Sequence, residues 1–329
     1  MNAGTDDVDH VMRISVPADA DAFFDNEPDP FIRYRKMTYA WRTAIANGMT
    51  DAEFIAIVRR LETPFRVTSL SRSGNVWIKD ETSNVGGSHK ARHMMGLAIW
   101  LAVAERLDPT IAKQRLAIAS CGNAALAAAI VARAAGKTLD VFIPTDANER
   151  VVARLQQLGA HITRCERREG ERGDPAYLRF REAVERGALP FTTQGNENGL
   201  SIEGCHTLAW EIVSQLGTNA LDAFYIQVGG GALASACIAA FGVAHEAGVL
   251  KRMPRIHAVQ TQVSPLKRAW DRVGDLDYAI HHRSKFMWPW ESAPHSVAHG
   301  IIDDETYDWA AVVRGMRETG GWPIVVSEE

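Results

Sequence analysis

Three short runs carry residues whose types and spacing suit chemistry on a small charged molecule. In QVGGGALAS, Gln227 to Ser235, three successive glycines follow an apolar β-type run and precede a small-residue helical one. Backbone without Cβ atoms can turn its N–H groups into a concave nest, and the following helix adds the positive end of its dipole, so the run suits a phosphate. No Gly-Lys-Ser/Thr follows and the GxGxxG spacing is absent, which excludes a Walker loop and a dinucleotide fingerprint; a plain tight connection is the alternative. In SCGNAALA, the loop Ser120, Cys121 and Gly122 with the first N–H groups of a helix suits a carboxylate, and Asn123 offers an amide to a neighbouring oxygen, unless Asn123 simply caps that helix. In ETSNVGGSHKARH, Glu81 to His93, Lys90 opens a long apolar run. The positive end of a helix dipole disfavours a cation, and a neutral lysine amine is what condenses with an aldehyde; an ordinary solvated first-turn lysine is the alternative.

These runs need elements to hold them. Short β-branched stretches alternate with longer amphipathic ones: RLAIAS with NAALAAAIVARAAG, LDVFIP with ERVVARLQQLGA, HITRCE with PAYLRFREAVERG, and AFYIQVGG with ALASACIAAFGVAHEAG. This alternation predicts parallel sheet flanked by helices, an α/β fold whose ligands gather at the carboxyl ends of the strands. Before it, residues 1–49 read as a leader, rich in Asp over residues 1–30 and ending there in EPDP. DAEFIAIVRRLE reads as a helix, and ETPFRVTSLSRSGNVWIKDE as a turn and one strand ending near Lys79. Two segments interrupt the alternation. ERREGERGDPAY, from Glu166, reads as a solvated loop and helix start away from substrate, and HHRSKFMWPWESAPHSVAHG, from His281, as a long irregular connection bordering a site.

Composition bounds the rest. The 329 residues are 46% hydrophobic and 23% charged with a net charge of −4, which gives an ordinary globular chain without the basic face that nucleic acid or an anionic membrane would need. The cysteines Cys121, Cys165, Cys205 and Cys237 lack zinc or disulfide spacing, so a reducing cytoplasm is the default. The N-terminus lacks a signal-peptide plan, and no apolar run is long enough to span a bilayer. Cys121 reads as a small buried filler rather than a reactive thiol. Cys205 and His206 read as packing and surface, and His295 and His299 lack companions at metal-ligand spacing, so no metal is expected. A nest for phosphate, a cup for carboxylate and a lysine amine together suit an amino-acid enzyme that uses pyridoxal 5'-phosphate, PLP, because that cofactor carries a phosphate and an aldehyde and its substrates a carboxylate. A nucleotide-binding fold without PLP is the rival.

From about Thr63 onward the chain resembles the tryptophan synthase β superfamily of PLP enzymes, fold type II, which includes threonine synthases and threonine and serine dehydratases. KDETSNVGGSHK matches the run before the cofactor lysine, and the resemblance makes Lys90 that lysine. It implies that Asn123 contacts the cofactor's phenolic oxygen, that Ser120, Cys121 and Gly122 receive the substrate carboxylate, and that Gly229, Gly230, Gly231, Ala232 and Leu233 wrap the phosphate. His89 is similar to the histidine that leans on the phosphate in tryptophan synthase β, whereas SIEGCHTLAWEI is similar to the threonine synthase and dehydratase pattern. The implied fold has two domains with PLP in the cleft between them: a small one, residues 90–190, inserted in a large one, residues 50–89 and 191–329. The implied activity is a lyase reaction on serine or threonine; a β- or γ-replacement enzyme and an inactive PLP-binding homologue are the alternatives. A homodimer is expected. In the family a Ser, Thr or Cys faces the pyridine nitrogen from a turn beyond the strand that WPIVVSEE resembles, so the large domain is expected to be incomplete at Glu329.

Overall fold

The computed structural model describes residues 19–61, 65–171, 173–217, 221–263, 265–289 and 296–328. The stretch read as a leader is built into the protein from its first described residues. A 3-10 turn, Ala20–Phe23, leads into helix α1, Pro30–Arg33, a second 3-10 turn, Arg35–Met37, and helix α2, Tyr39–Ala46. Tyr34 and Met37 are fully buried, and Phe23, Phe31 and Ile32 nearly so. Their apolar side chains are spaced without a helical or strand period, so the pattern concealed a set of anchors. Helix α3, Asp51–Arg60, follows as predicted, closed at its start by a reciprocal Thr50–Glu53 capping box.

SLSRSGNVWIKD, predicted as one strand, is an antiparallel hairpin of β1, Leu70–Ser73, and β2, Val76–Lys79, with Ser73 opposite Val76. Gly74 takes φ 58° in the two-residue turn, a conformation that glycine adopts without strain. Helix α4, Lys90–Leu107, comes next.

The predicted alternation then appears in full. Strands β3 (Leu116–Ala119), β4 (Leu139–Pro144), β5 (His161–Cys165) and β6 (Leu189–Pro190) are joined through helices α5 (Asn123–Ala134), α6 (Glu149–Gln157) and α7 (Pro175–Glu185). They form a parallel sheet in the order β5-β4-β3-β6. After helix α8 (Ser201–Leu216) come β7 (Ala223–Gln227), α9 (Ala232–Glu246), β8 (Arg255–Thr261), α10 (Pro265–Arg272), α11 (Leu276–His281), α12 (Trp309–Thr319) and β9 (Ile324–Val326). The second parallel sheet is ordered β7-β8-β9.

Each sheet has its own core. Leu208, Trp210, Ile226, Phe241, Ile256 and Val312 belong to the core around the second sheet, where Phe23, Tyr34 and Met37 also insert. The other core joins β3 and β4 to α4 and α5, and it includes Phe54, Ile57 and Val58 of α3. Helix α3, expected in the large domain with residues 191–329, therefore packs with the four-stranded sheet. The two parts meet where α4 crosses α8: a Cβ on Gly96 would lie 2.8 Å from the Cα of Gly204, and one on Gly204 would meet the Arg92 carbonyl oxygen. Glycine at both positions is what lets the helices touch backbone to backbone.

Candidate active site

The carboxyl ends of β3, β6 and β7 open on one cavity of about 570 Å³, where an α/β sheet is expected to bind its ligand. Helices α4, α5 and α9 begin at its wall, with Lys90 and Asn123 as the first residues of α4 and α5. The residues preceding these helices, His89, Gly122 and Gly231, supply no side-chain cap. Each helix start leaves N–H groups without an intrahelical acceptor, and these ones await a partner from the cavity. Asn123 lies inside its helix, so it is not the cap of α5. Ser120, Cys121, Gly122 and Asn123 line the cavity beside Lys90 and His89, opposite Gly229, Gly230, Gly231, Ala232 and Leu233. All the residues selected from sequence for a phosphate, a carboxylate and an amine thus border one space.

A buried ion network lies at the start of α4. The guanidinium of Arg92, fully buried, donates to Glu81 at 2.7 Å, to Glu211 at 2.6 Å and to Thr207 at 3.0 Å. Lys79 of β2 donates to Glu211 at 2.6 Å. Burial alone would raise the Glu81 carboxyl, but Arg92's charge and hydrogen bonds from Arg92, Thr68 and Asn84 hold it below the ordinary carboxylate value. The network ties the hairpin, the first turn of α4 and the middle of α8 into one unit, and removing one partner of such a buried pair costs on the order of 3–5 kcal/mol. Lys90 itself enters no hydrogen bond or salt bridge among the described residues.

Residues 300–308 form the remaining wall, which sequence reasoning followed only as far as Gly300. Glu305, buried, is pinned by Arg283 at 2.7 Å, and the Asp308 N–H donates to the Gly230 carbonyl at 3.0 Å. Here the need for bare glycines is visible. A Cβ on Gly229 would run into the Asp303 carboxylate, one on Gly230 would lie 2.9 Å from the Tyr307 ring, and Gly231 takes φ 95°. Burial pushes the Asp303 carboxyl above its ordinary value, against the pull of Lys90's charge and the Gly230 N–H. Asp304, also raised by burial, accepts from the Tyr307 hydroxyl at 3.0 Å. Burial, then the charges of Lys90, His93 and Arg92, push the His89 imidazole well below its usual value, so it is neutral at pH 7.

Residues 59–329 match the family described as pyridoxal-phosphate dependent enzyme. The chain belongs to that family. An L-serine dehydratase of Saccharomyces cerevisiae (strain YJM789) is 30% identical over 196 residues, 56% of this chain and 54% of the relative. A threonine synthase of Mycobacterium tuberculosis (strain ATCC 25618 / H37Rv) is 26% identical over 266 residues, 80% of this chain and 65% of the relative. The chain thus spans between about half and two thirds of these relatives' lengths. Among solved structures, maize serine racemase superposes with a TM-score of 0.61 at 18% identity, covering 84% of this chain and 76% of that one. The processed threonine deaminase isoform 2 of Solanum lycopersicum superposes at 0.60 and 16% identity, covering 98% and 79%; these likenesses carry the fold.

The cavity of this PLP-dependent family member fits the family's cofactor: uncapped N–H groups at the start of α9 suit its phosphate, and a lysine in no ion pair faces the same space. Several single-residue readings need correction. Cys121 is no buried filler: it opens on the cavity, and desolvation by the walls, with the charges of Asp146 and Asp174, pushes its thiol up, away from the thiolate. Neither Cys205 nor His206 is at the surface. Cys205 is buried against the His89 carbonyl, and His206 packs on Trp210 with both ring nitrogens buried and unbonded. The charge run from Glu166 does reach the cavity, through Asp174, which caps α7, and Tyr177. Thr192, Gln194 and His93 also line it and were missed; Thr192 and Gln194 follow β6, a strand of two residues that the sequence pattern did not show. Of the histidine pair near residue 300, His295 lies outside the described residues and His299 opens a 3-10 turn, His299–Ile301.

Proposed function

We propose that this chain is the catalytic part of a lyase acting on a small amino acid, serine or threonine first, with Lys90 as the residue that carries PLP. The observation that carries the reading is the convergence of three uncapped helix starts and Lys90 on one cavity. The first turn of α9, with Gly229, Gly230, Gly231, Ala232 and Leu233, would hold the phosphate, with His89 beside it, and Asn123 would meet the phenolic oxygen. Ser120, Cys121 and Gly122 with the start of α5 would orient the substrate carboxylate, and with it the α-hydrogen toward Lys90.

When bound, the cofactor supplies a conjugated ring that takes up the charge left by the departing α-proton. The Lys90 amine would be the base that removes that proton. Loss of the β-hydroxyl as water and hydrolysis then release a keto acid and ammonia. The serine dehydratase relative supports elimination; the threonine synthase match, which covers more of the chain, supports replacement as the second reading. Domains divided near residues 90 and 190, a homodimer and a cytoplasmic location belong to the same proposal.

The test is the absorption spectrum of the purified chain with added PLP, before and after borohydride, with mass mapping. A near-visible band that borohydride abolishes, leaving a phosphopyridoxyl group on Lys90, supports the assignment. Keto-acid release from serine or threonine then supports elimination, whereas exchange of the β or γ substituent without keto acid supports replacement. A label on another residue, or none, overturns the role of Lys90.

A further inference from the structure

The reading above places the cofactor's phosphate and the substrate's carboxylate, and it leaves one wall of the cavity without a role. That wall is acidic. Asp174, Asp303 and Asp304 line it, and Lys90 is the one lysine or arginine among the described lining residues. The three carboxyls form an arc. The charge of Asp174 acts on Cys121, in the carboxylate cup, and on Asp304; that of Asp304 acts on Asp303, which also feels Lys90. The ends of the arc are thus the two places where a substrate would set its carboxylate and its α-carbon, and its side chain falls between them. The wall is also fixed in place: Arg283 pins Glu305 at 2.7 Å, the Asp308 N–H donates to the Gly230 carbonyl at 3.0 Å, the Tyr307 hydroxyl donates to Asp304 at 3.0 Å, and Asp174 accepts from the Ala176 N–H at 2.9 Å. Burial pushes all three carboxyls above their ordinary value, because the opposing cations are few, Lys90 beside Asp303 and Arg167 beside Asp174. A positive group set between them would relieve that cost, and a further anion would add to it.

His93 is an independent sign of the same kind of ligand. Its imidazole lines the cavity although it is only 1% exposed. Nδ1 lies 2.7 Å from the Ser201 carbonyl oxygen, which can only accept, so Nδ1 carries the hydrogen and Nε2 has a lone pair. Nε2 enters no hydrogen bond among the described residues and is not sealed as both nitrogens of His206 are, so it faces the cavity as an acceptor that lacks a donor. Among the described residues no group of three or more His, Cys, Asp or Glu is disposed to hold a metal ion. An organic cation with N–H groups suits both features. We propose that Asp174, Asp303 and Asp304 select an amino acid whose side chain carries an ammonium group, 2,3-diaminopropionate being the shortest that can undergo β-elimination. The inference rests on the reading of the cavity as the site of a PLP-dependent lyase and narrows its substrate class. Carboxylates hold the side-chain amine in its protonated form, which departs as neutral ammonia. The α-proton passes to Lys90, the Cβ–N bond breaks with its electron pair going to nitrogen, and one water hydrolyses the resulting enamine, so that one diamino acid and one water give one keto acid and two ammonia.

Amino acids of different side-chain charge decide it: 2,3-diaminopropionate, serine and aspartate. With the PLP-loaded protein, kcat/KM for keto-acid release should be at least about a hundredfold higher for 2,3-diaminopropionate than for serine, with two ammonia per keto acid, and aspartate should neither react nor inhibit. Asp303→Asn and Asp304→Asn keep the shape of the wall and remove a charge, so each should raise KM for 2,3-diaminopropionate by roughly 30- to 100-fold and bring the two substrates within about tenfold of each other. Calorimetric titration of the borohydride-reduced protein, which cannot turn over, should give the same order of affinities. Serine turned over as well as 2,3-diaminopropionate, or aspartate bound as tightly, overturns the proposal and leaves the lyase reading standing. So does a preference for the diamino acid that neither variant moves. If neither variant folds, the titrations of the unaltered protein decide. Absence of the borohydride-sensitive band in the unaltered protein defeats the cofactor reading instead, and the same titrations, made on the unreduced protein, then decide the charge preference alone.

Discussion

Helix starts in this protein differ in how they close. Away from the cavity, α2, α3 and α6 close their first turns with Thr38, Thr50 and Asn148. At the cavity, α4, α5 and α9 begin at His89, Gly122 and Gly231 with no side-chain cap. A cap is worth about 1 kcal/mol, so leaving three helices open forgoes stability that α2, α3 and α6 collect; α7, whose start also borders the cavity, is capped by Asp174, and α8, whose start does not, is uncapped. What sets α4, α5 and α9 apart is that their open starts border one cavity, where a ligand can take the place of a cap. The largest test removes the group they surround: Lys90→Ala should abolish the borohydride-trapped label and lower turnover by at least about a thousandfold. Thermal unfolding without cofactor should be unchanged, because Lys90 enters no hydrogen bond or salt bridge among the described residues.

Closing one open helix sharpens the comparison further. A Cβ at Gly122 meets nothing within 4 Å, and its φ of −130° suits any residue. Gly122→Asp should therefore cap α5 without strain, leaving stability equal or higher by up to about 1 kcal/mol. Its carboxylate would occupy the N–H groups assigned to the substrate carboxylate, so KM should rise by roughly a hundredfold while PLP still binds; each factor of ten corresponds to about 1.4 kcal/mol. Steady-state kinetics beside a melting curve reads both. An unaltered KM would mean that the start of α5 does not receive substrate.

Much of this was legible in the sequence, for an identifiable reason. Glycines before a helix, a lysine at a helix start and the alternation of β-type and helical runs are local patterns, and they picked out β3, β4, β5 and β7, Lys90, Asn123 and the glycine loop; β6, two residues long, was too short to show. What escaped is set by approach in three dimensions. Asp303 and Tyr307 matter because loop 300–308 lies against Gly229 and Gly230, and Asp174 because its helix starts at the cavity edge. Phe23, Phe31, Tyr34 and Met37 escaped because anchors of a non-repeating segment have no period. The hairpin was read as one strand because SGN was not recognised as a two-residue turn. His93 was hidden within an apolar helix, where only the fold shows which side faces the cavity.

A smaller effect is expected at a capped helix that borrows from a neighbour. Glu203, buried in α8, accepts from the backbone of Tyr39 and Ala40 at the start of α2. Burial pushes its carboxyl from the ordinary 4.5 up to about 7, against those hydrogen bonds and Arg42. The folded protein therefore holds this proton more tightly than the unfolded chain does. The resulting stability is full below about 4.5 and is lost as the pH rises through about 7. Glu203→Gln keeps an acceptor and removes the titration, so at pH 8 it should be more stable than the unaltered protein by roughly 1–3 kcal/mol. At pH 5 the two should nearly match. Denaturant melts at both pH values test this, and a Gln variant less stable at pH 8 would show that the ionised carboxylate is needed by α2.

The smallest effect is the control that gives the others meaning. Thr50 accepts from the Glu53 N–H at 3.2 Å, and Glu53 accepts in return from the Thr50 N–H at 2.8 Å. This closes the start of α3, which packs Phe54, Ile57 and Val58 into the core around the four-stranded sheet. Thr50→Ala should lower global stability by about 1 kcal/mol and leave PLP affinity, kcat and KM unchanged, since no residue of α3 lines the cavity. If caps only stabilise, Thr50→Ala and Gly122→Asp should change stability in opposite directions, and only the second should touch the kinetics. A Thr50→Ala protein with altered substrate binding would mean that the four-stranded sheet's core moves the α5 start, and that the cavity's open helices are coupled to the closed ones rather than set apart from them.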